Sequence, residues 1–371
     1  MRIERGDLSV QTIKRLQTEP WLVIRDAFSR FRRTPAFTGF VLFMITIVLN
    51  ILVQGPVGFF SVRNINTLFV TQIPFLLVVM AQAVLLISGT LDISVGIQMA
   101  LVNVVTIMTV QEWGVPFAIG AILGILAAII ASLICWVLVS LFRLPDLLAS
   151  FSLTFAILGV NVLIMNVPQG RIPNELFRAY DSVLLGFIPA SGIALLLVGL
   201  LWFYLRRTSF GTNVYAVGAN PQNAFAAGIS PVKVQLQAFL FKGFVVGIAG
   251  ICLTLMTASG NPLQGEALGL RSLAACIVGG LTFGGWGSMA CAVFGASFLI
   301  LIQNSVYYFF NALQQMFPAI MITTFWHNLL SDTIIFLGLL LSIVTIKGQR
   351  EALRISIKNK YTVTRREDHE K

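Results

Sequence analysis

Apolar residues run for about 20 positions at a time along most of this chain, separated by short polar or glycine-rich interruptions. At about 1.5 Å per residue, a helix of that length crosses the roughly 30 Å hydrocarbon core of a bilayer. The pattern predicts ten spans, at 37–54, 66–88, 93–111, 115–141, 147–165, 183–204, 234–258, 271–285, 288–310 and 326–346. The eighth is short and glycine-rich. The alternating ten-residue segments of a transmembrane β-barrel are absent. The expected fold is an all-α polytopic membrane protein with about ten transmembrane helices.

Composition agrees. Of 371 residues, 57% are hydrophobic and 11% charged, against about 25% charged in a soluble domain. Cys135, Cys252, Cys276 and Cys291 all lie in apolar runs without a CxxC pair, which reads as packing rather than a disulfide or zinc site. His327 and His369 are far apart, so no metal site is expected.

Charge sets the expected orientation. An even number of spans leaves both termini on one side. Residues 1–36 and 347–371 carry eight Lys or Arg each, and Arg143, Arg206, Arg207 and Lys233 fall in loops on the same side. The opposite side holds Arg63, Arg171, Arg178 and Arg271. A split of 20 against four, with Lys242 just inside the seventh span, places both termini in the cytoplasm. Basic tails beside anionic lipid also account for the net charge of +10 without nucleic acid.

The chain divides into an arm (1–36), a membrane domain (37–346) containing a long loop (206–233), and a basic tail (347–371). The arm has no apolar stretch of signal-peptide type. Its Trp21, Ile24, Phe28 and Phe31 recur at helical spacing, as expected of a helix lying in the membrane interface.

Glycine pairs at four-residue spacing, Gly120/Gly124, Gly243/Gly247 and Gly280/Gly284, suit close helix packing. Pro74 interrupts the second span between Gln72 and Gln82, which turns that span toward the bundle interior. Asp92, in "SGTLDISVG", admits two compatible readings: a cap on the third span, or a residue of a translocation pathway. Polarity within apolar spans nominates Gln72, Gln82, Asp92, Ser94, Gln98 and Asn103 as pathway residues. Gln98 and Asn103 lie five residues apart, about 140° around a helix, so they need not share a face.

In the loop, Asn220 suits an N-cap, Pro221 the first helical position and Gly228 the stop. "PQNAFAAG" therefore predicts a helix of about two turns, with Phe225 and alanines facing outward as a knob for a partner's groove.

Three stretches resemble one known family. "GTLDISVG" is similar to the LDLSVG-type signature of ribose-type ABC importer permeases. "YAVGANPQNAFAAGI" resembles their cytoplasmic loop signature, and "GEALGLRSLAACIVGGLTFGGWGSM" their acidic, small-residue and glycine-rich segment. The three occur in the family's order and spacing, and the resemblance covers about residues 40–346. Asn223, Phe225, Trp286 and the long N-terminal arm depart from the usual pattern.

The resemblance implies a ribose/vitamin B12-type permease fold in a bacterial cytoplasmic membrane. Two permease subunits, copies of this chain or relatives, would enclose one pathway. A cytoplasmic ATP-binding cassette protein would carry ATP and Mg, none bound by this chain, and an extracytoplasmic binding protein would deliver solute. The family's coupling helix carries over to Gly218, Asn220, Pro221, Gln222, Ala224, Phe225, Ala226, Ala227 and Gly228. Consistently, the chain has no G-x-x-x-x-G-K-[ST] phosphate loop and no hydrolase motif, so no enzymatic activity of its own is expected. The expected solute is a monosaccharide, with a nucleoside or branched-chain amino acid as the neighbouring possibility. A competing class is an ion-coupled carrier using Asp92 as its ion site, although such carriers set several ionisable residues at mid-membrane and show inverted repeats.

Overall fold

A computed structural model describes residues 29, 31–32, 34–317 and 323–345. The expected interfacial helix around Trp21, Ile24 and Phe28, and the tail 347–371, lie outside the described residues. The helices are α1 (Ala36–Gln54), α2 (Pro56–Phe59), α3 (Val62–Ile87), α4 (Val95–Trp113), α5 (Phe117–Trp136, extended by a π turn, Val137–Leu141) and α6 (Asp146–Ile164). They continue with α7 (Asn174–Tyr180), α8 (Gly192–Leu205), α9 (Ser209–Ala219), α10 (Pro221–Ala226), α11 (Pro231–Thr257), α12 (Leu268–Val278), α13 (Met289–Met316) and α14 (Thr324–Thr345). Among the described residues, seven helices are long and apolar enough to cross a membrane, or eight if the α8–α9 pair, bent by 79°, counts as one span.

The centre of the bundle is α3, buried along almost its whole length, whereas α1, α5 and α6 leave most of their residues on the outside. Those outer faces are apolar, with Val48, Leu52, Ile130 and Leu163 exposed, as a lipid-facing surface requires. Helix α11 packs on α3, α4 and α5, and α13 packs on α1, α3 and α12. Small residues allow the close approaches. A methyl group added at Gly243 of α11 would lie 2.7 Å from Ser132 Oγ and 2.9 Å from Ile129 Cα of α5. Gly247 meets Ile125, and Gly120 and Gly124 of α5 meet Thr106 and Thr109 or Val102 of α4.

Pro74 does not break α3. It lacks an N–H, so the Val70 carbonyl four residues earlier loses its helical donor. The buried Tyr180 hydroxyl, at the end of α7, donates to that carbonyl at 3.2 Å. Asn50 of α1 likewise donates across to the Leu301 carbonyl of α13 (2.9 Å), and Gln54 donates to Asn304 (2.7 Å).

Three expected boundaries need correction. The sixth span, expected at 183–204, starts at Gly192. Residues Val183–Leu184 and Ile188–Pro189 instead pair as a two-stranded antiparallel hairpin, because Leu185 (φ 52°) and Gly186 (φ 78°) turn the chain left-handed. The eighth span, expected at 271–285, stops at Val278. Gly280, Gly284, Gly285 and Gly287 all have positive φ, which no helix accommodates, so 279–288 is a loop. The segment read as one long loop at 206–233 contains a second helix, α9, before the expected one.

Candidate functional site

Between α3 and α4 the chain turns back through Ser88–Ser94, and most of this turn is buried. Asp92 is its anchor. Oδ1 accepts from the Ser94 N–H (2.7 Å) and hydroxyl (2.5 Å), which fixes the turn that starts α4. Oδ2 accepts from Lys242 Nζ of α11 at 2.5 Å and from Gln98 Nε2 at 3.2 Å. Lys242 also donates to Gln98 Oε1 (2.7 Å), which the Ser132 hydroxyl of α5 reaches at 3.0 Å. Asp146, in the first turn of α6, accepts from the Leu91 N–H at 3.1 Å. Helices α4, α5, α6 and α11 thus meet at one turn.

Asp92 and Lys242 are both wholly buried and form the one ion pair among the described residues. Two charges taken from water cost several kcal/mol each, and their attraction offsets this only when the remaining donors and acceptors are also satisfied. Here Asp92 accepts four hydrogen bonds, and Lys242 donates to both Asp92 and Gln98. Asp92 does not cap the helix as expected: the N-cap position is Ser94, without a side-chain cap bond, and Asp92 instead holds the turn before it while pairing with a cation. Lys242 and Asp146 were missed as partners. The available signal was that Lys242 falls inside the apolar seventh span, and charges at membrane depth normally pair.

The other nominated pathway residues separate. Ser94, Gln98 and Asn103 are enclosed and hold helices together instead of bordering open space. Gln98 and Asn103 do face different neighbours: Asn103 donates to Thr254 and the Ser259 carbonyl and accepts from the Asn261 N–H (2.8 Å). Gln82 is fully buried, and neither amide atom has a hydrogen-bond partner among the described residues. Gln72 borders a cavity of about 130 Å³.

The short helix α10 is built as its sequence demands. The Asn220 side chain accepts from the Gln222 and Asn223 N–H groups (3.0 and 2.9 Å), and Pro221 opens the first turn. Gly228 (φ 83°) closes it, with the Gly228 N–H on the Phe225 carbonyl and the Ile229 N–H on the Ala224 carbonyl, both 2.9 Å. Phe225 is 71% exposed, and Ala226 and Ala227 are exposed beside it. Ala224 is a correction to the expected outward set, since it is buried.

Gly218 roots this helix in the bundle. A methyl group there would run into the Ile87 carbonyl at the end of α3, and it would stand 3.1 Å from the Gly285 nitrogen. A methyl group added at Gly89 would lie 3.5 Å from Gly218 Cα, and one added at Gly284 would lie 3.3 Å from the Gly218 carbonyl oxygen. On the other side of the Asp92 turn, Gly96 and Gly269 allow backbone to pack on backbone, against Gly265 and Ile93. Three stretches far apart in sequence, "GTLDISVG", "YAVGAN" and "GEALGL…GGWG", therefore converge as contacts that only glycine permits.

A family model described as "Branched-chain amino acid transport system / permease component" matches residues 64–325. Among relatives, the chain is 29% identical over 274 residues to a fructose import permease protein of Rhizobium meliloti, covering 68% of this chain and 74% of that one. It is 28% identical over 272 residues to a D-allose transport system permease protein of Escherichia coli (strain K12), covering 72% and 82%. It is 27% identical over 325 residues to an L-arabinose ABC transporter permease protein of Azospirillum brasilense, covering 86% and 90%. No solved structure matches significantly.

Proposed function

Because the chain belongs to the branched-chain amino acid transport system / permease component family, we propose that it is the membrane-spanning subunit of an ATP-driven importer whose solute is a monosaccharide. The sugar assignment draws on relatives named for fructose, allose and arabinose. In this reading a cytoplasmic ATP-binding cassette protein receives Phe225, a second permease subunit completes the pathway, and an extracytoplasmic binding protein supplies the solute. ATP and Mg belong to the cassette protein. Both termini and α10 lie on the cytoplasmic side, where 20 of the Lys and Arg residues fall.

The observation that carries the mechanism is the rooting of α10 at Gly218. Closure of the cassette dimer on ATP would displace Phe225. Gly218 abuts the end of α3 and the 279–288 loop with no side chain between to absorb the motion. The displacement is passed to the Asp92 turn, where α4, α5, α6 and α11 are joined. The bundle then alternates between outward-open and inward-open arrangements.

The test is purification of the detergent-solubilised chain from its native host, followed by uptake measurements in proteoliposomes. A stoichiometric cassette protein, with ATP-dependent uptake of D-fructose, D-allose or L-arabinose, is the expected result. Transport by the chain alone without ATP would overturn the proposal.

A further inference from the structure

The cavity bordered by Gln72 lies between α3, α4, α11, α12, α13 and the 258–267 segment, and several polar side chains interrupt its apolar wall. Gln72 comes from α3, Gln264 from the connecting segment, Arg271 from α12 and Gln303 from the middle of the 28-residue α13. No side-chain hydrogen bond joins any of these four to another described residue, and Arg271 Nε is buried without a partner. Among the described residues no carboxylate lies within ion-pair distance of the Arg271 guanidinium; its electrostatic partner, Asp332 of α14, acts from further away. The guanidinium's neighbour is the Phe75 ring, 5.7 Å from Cζ, and Phe75 with Leu253 supplies apolar wall to the same cavity.

Arg271 Nε is buried without a partner, and three half-buried glutamine amides from separate elements border the same space without a side-chain hydrogen bond, an arrangement that a polar molecule in the cavity would satisfy. By contrast, Asp92, Lys242 and Gln98 all engage one another through hydrogen bonds. Resting on the importer reading above, we propose that this cavity is a solute-recognition station inside the permease that takes a neutral polyhydroxylated ring. An amide both donates and accepts, so three glutamines match hydroxyls, which do the same. The guanidinium adds donors only, and Phe75 and Leu253 face the C–H surface of the ring. An anionic solute would find one cation but three amides, each presenting an acceptor oxygen as well as donors. Several modest hydrogen bonds also suit a site that must release what it binds.

The complete importer, purified with its partners, is tested in proteoliposomes with radiolabelled D-fructose, D-allose and L-arabinose, each against the corresponding sugar acid. Gln303→Leu and Gln264→Leu should each raise KM about tenfold for the preferred sugar, the scale of one lost hydrogen bond. They should also change the ratio of rates among the three sugars, with the cassette protein still bound. Arg271→Met should do the same and Arg271→Lys should recover part of the loss. A purely structural role would lower all three sugars equally, so unchanged ratios in both glutamine variants would overturn the station. Preference for a sugar acid would overturn its neutral class. If the wild-type complex assembles but imports none of the sugars, the importer's sugar assignment falls and the station falls with it. If no cassette protein co-purifies, the failure lies in the importer reading itself.

Discussion

Lys242 Nζ lies 2.5 Å from Asp92 Oδ2, across 150 residues of sequence, with both side chains wholly buried. The pair fastens the turn that begins α4 to the middle of α11. Removing one member leaves an uncompensated charge inside the bundle, at a cost of about 3–5 kcal/mol. Lys242→Met should therefore strongly lower the thermal unfolding temperature in detergent. Adding Asp92→Asn should recover most of the loss, because the double variant buries no charge. Equal instability of single and double variants would mean that packing, not charge balance, holds this site.

A second interaction to test is the one around Pro74. Tyr180→Phe removes the donor to the Val70 carbonyl and should destabilise by about 1–3 kcal/mol. In a Pro74→Ala background the restored N–H can serve that carbonyl, so the same change should cost clearly less. The comparison is a double-mutant cycle read by thermal unfolding, and additivity of the two changes would refute the assignment.

At the coupling surface, Phe225→Asp should abolish co-purification with the cassette protein, because a carboxylate pushed into an apolar groove has no partner there. The side chain is 71% exposed, so the unfolding temperature of the isolated chain should hardly move. Retention of the complex would dismiss the knob-in-groove account.

Two glycines beside that helix should respond differently. Gly218→Ala drives a methyl into the Ile87 carbonyl, and backbone must shift to admit it. Uptake should fall at least tenfold while ATP hydrolysis by the assembled complex persists, which marks lost coupling. Gly228→Ala meets nothing within 4 Å but must hold φ near 83°, a strain of about 1–2 kcal/mol. It should weaken α10 locally and reduce uptake far less. Similar losses from both would show that α10 needs only its own fold, not its rooting.

Gln98→Ala removes the amide that bridges Lys242, Asp92 and Ser132. The loss should appear as lowered stability, with the sugar preference of transport unchanged. A changed preference with normal stability would return Gln98 to the solute pathway.

The sequence alone determined whatever depends on neighbouring residues or on the solvent. Twenty-residue apolar runs located most spans to within a few residues, because bilayer thickness sets a length that composition must match. Asn220, Pro221 and Gly228 announced α10, because capping is local chemistry. The same reasoning failed at residues 183–189 and 279–288, where apolar composition resembles a span. There, left-handed backbone at Leu185, Gly186 and the clustered glycines bends the chain out of a helix.

Tertiary structure alone decided who answers whom. Nothing in the sequence says that Lys242 reaches Asp92, that Tyr180 serves the carbonyl freed by Pro74, or that Gly218 stacks on Gly89, Gly284 and Gly285. Such pairings depend on how helices are rotated and crossed in the bundle. Most polar groups buried in a membrane domain are paired, and the sequence shows the need without naming the partner.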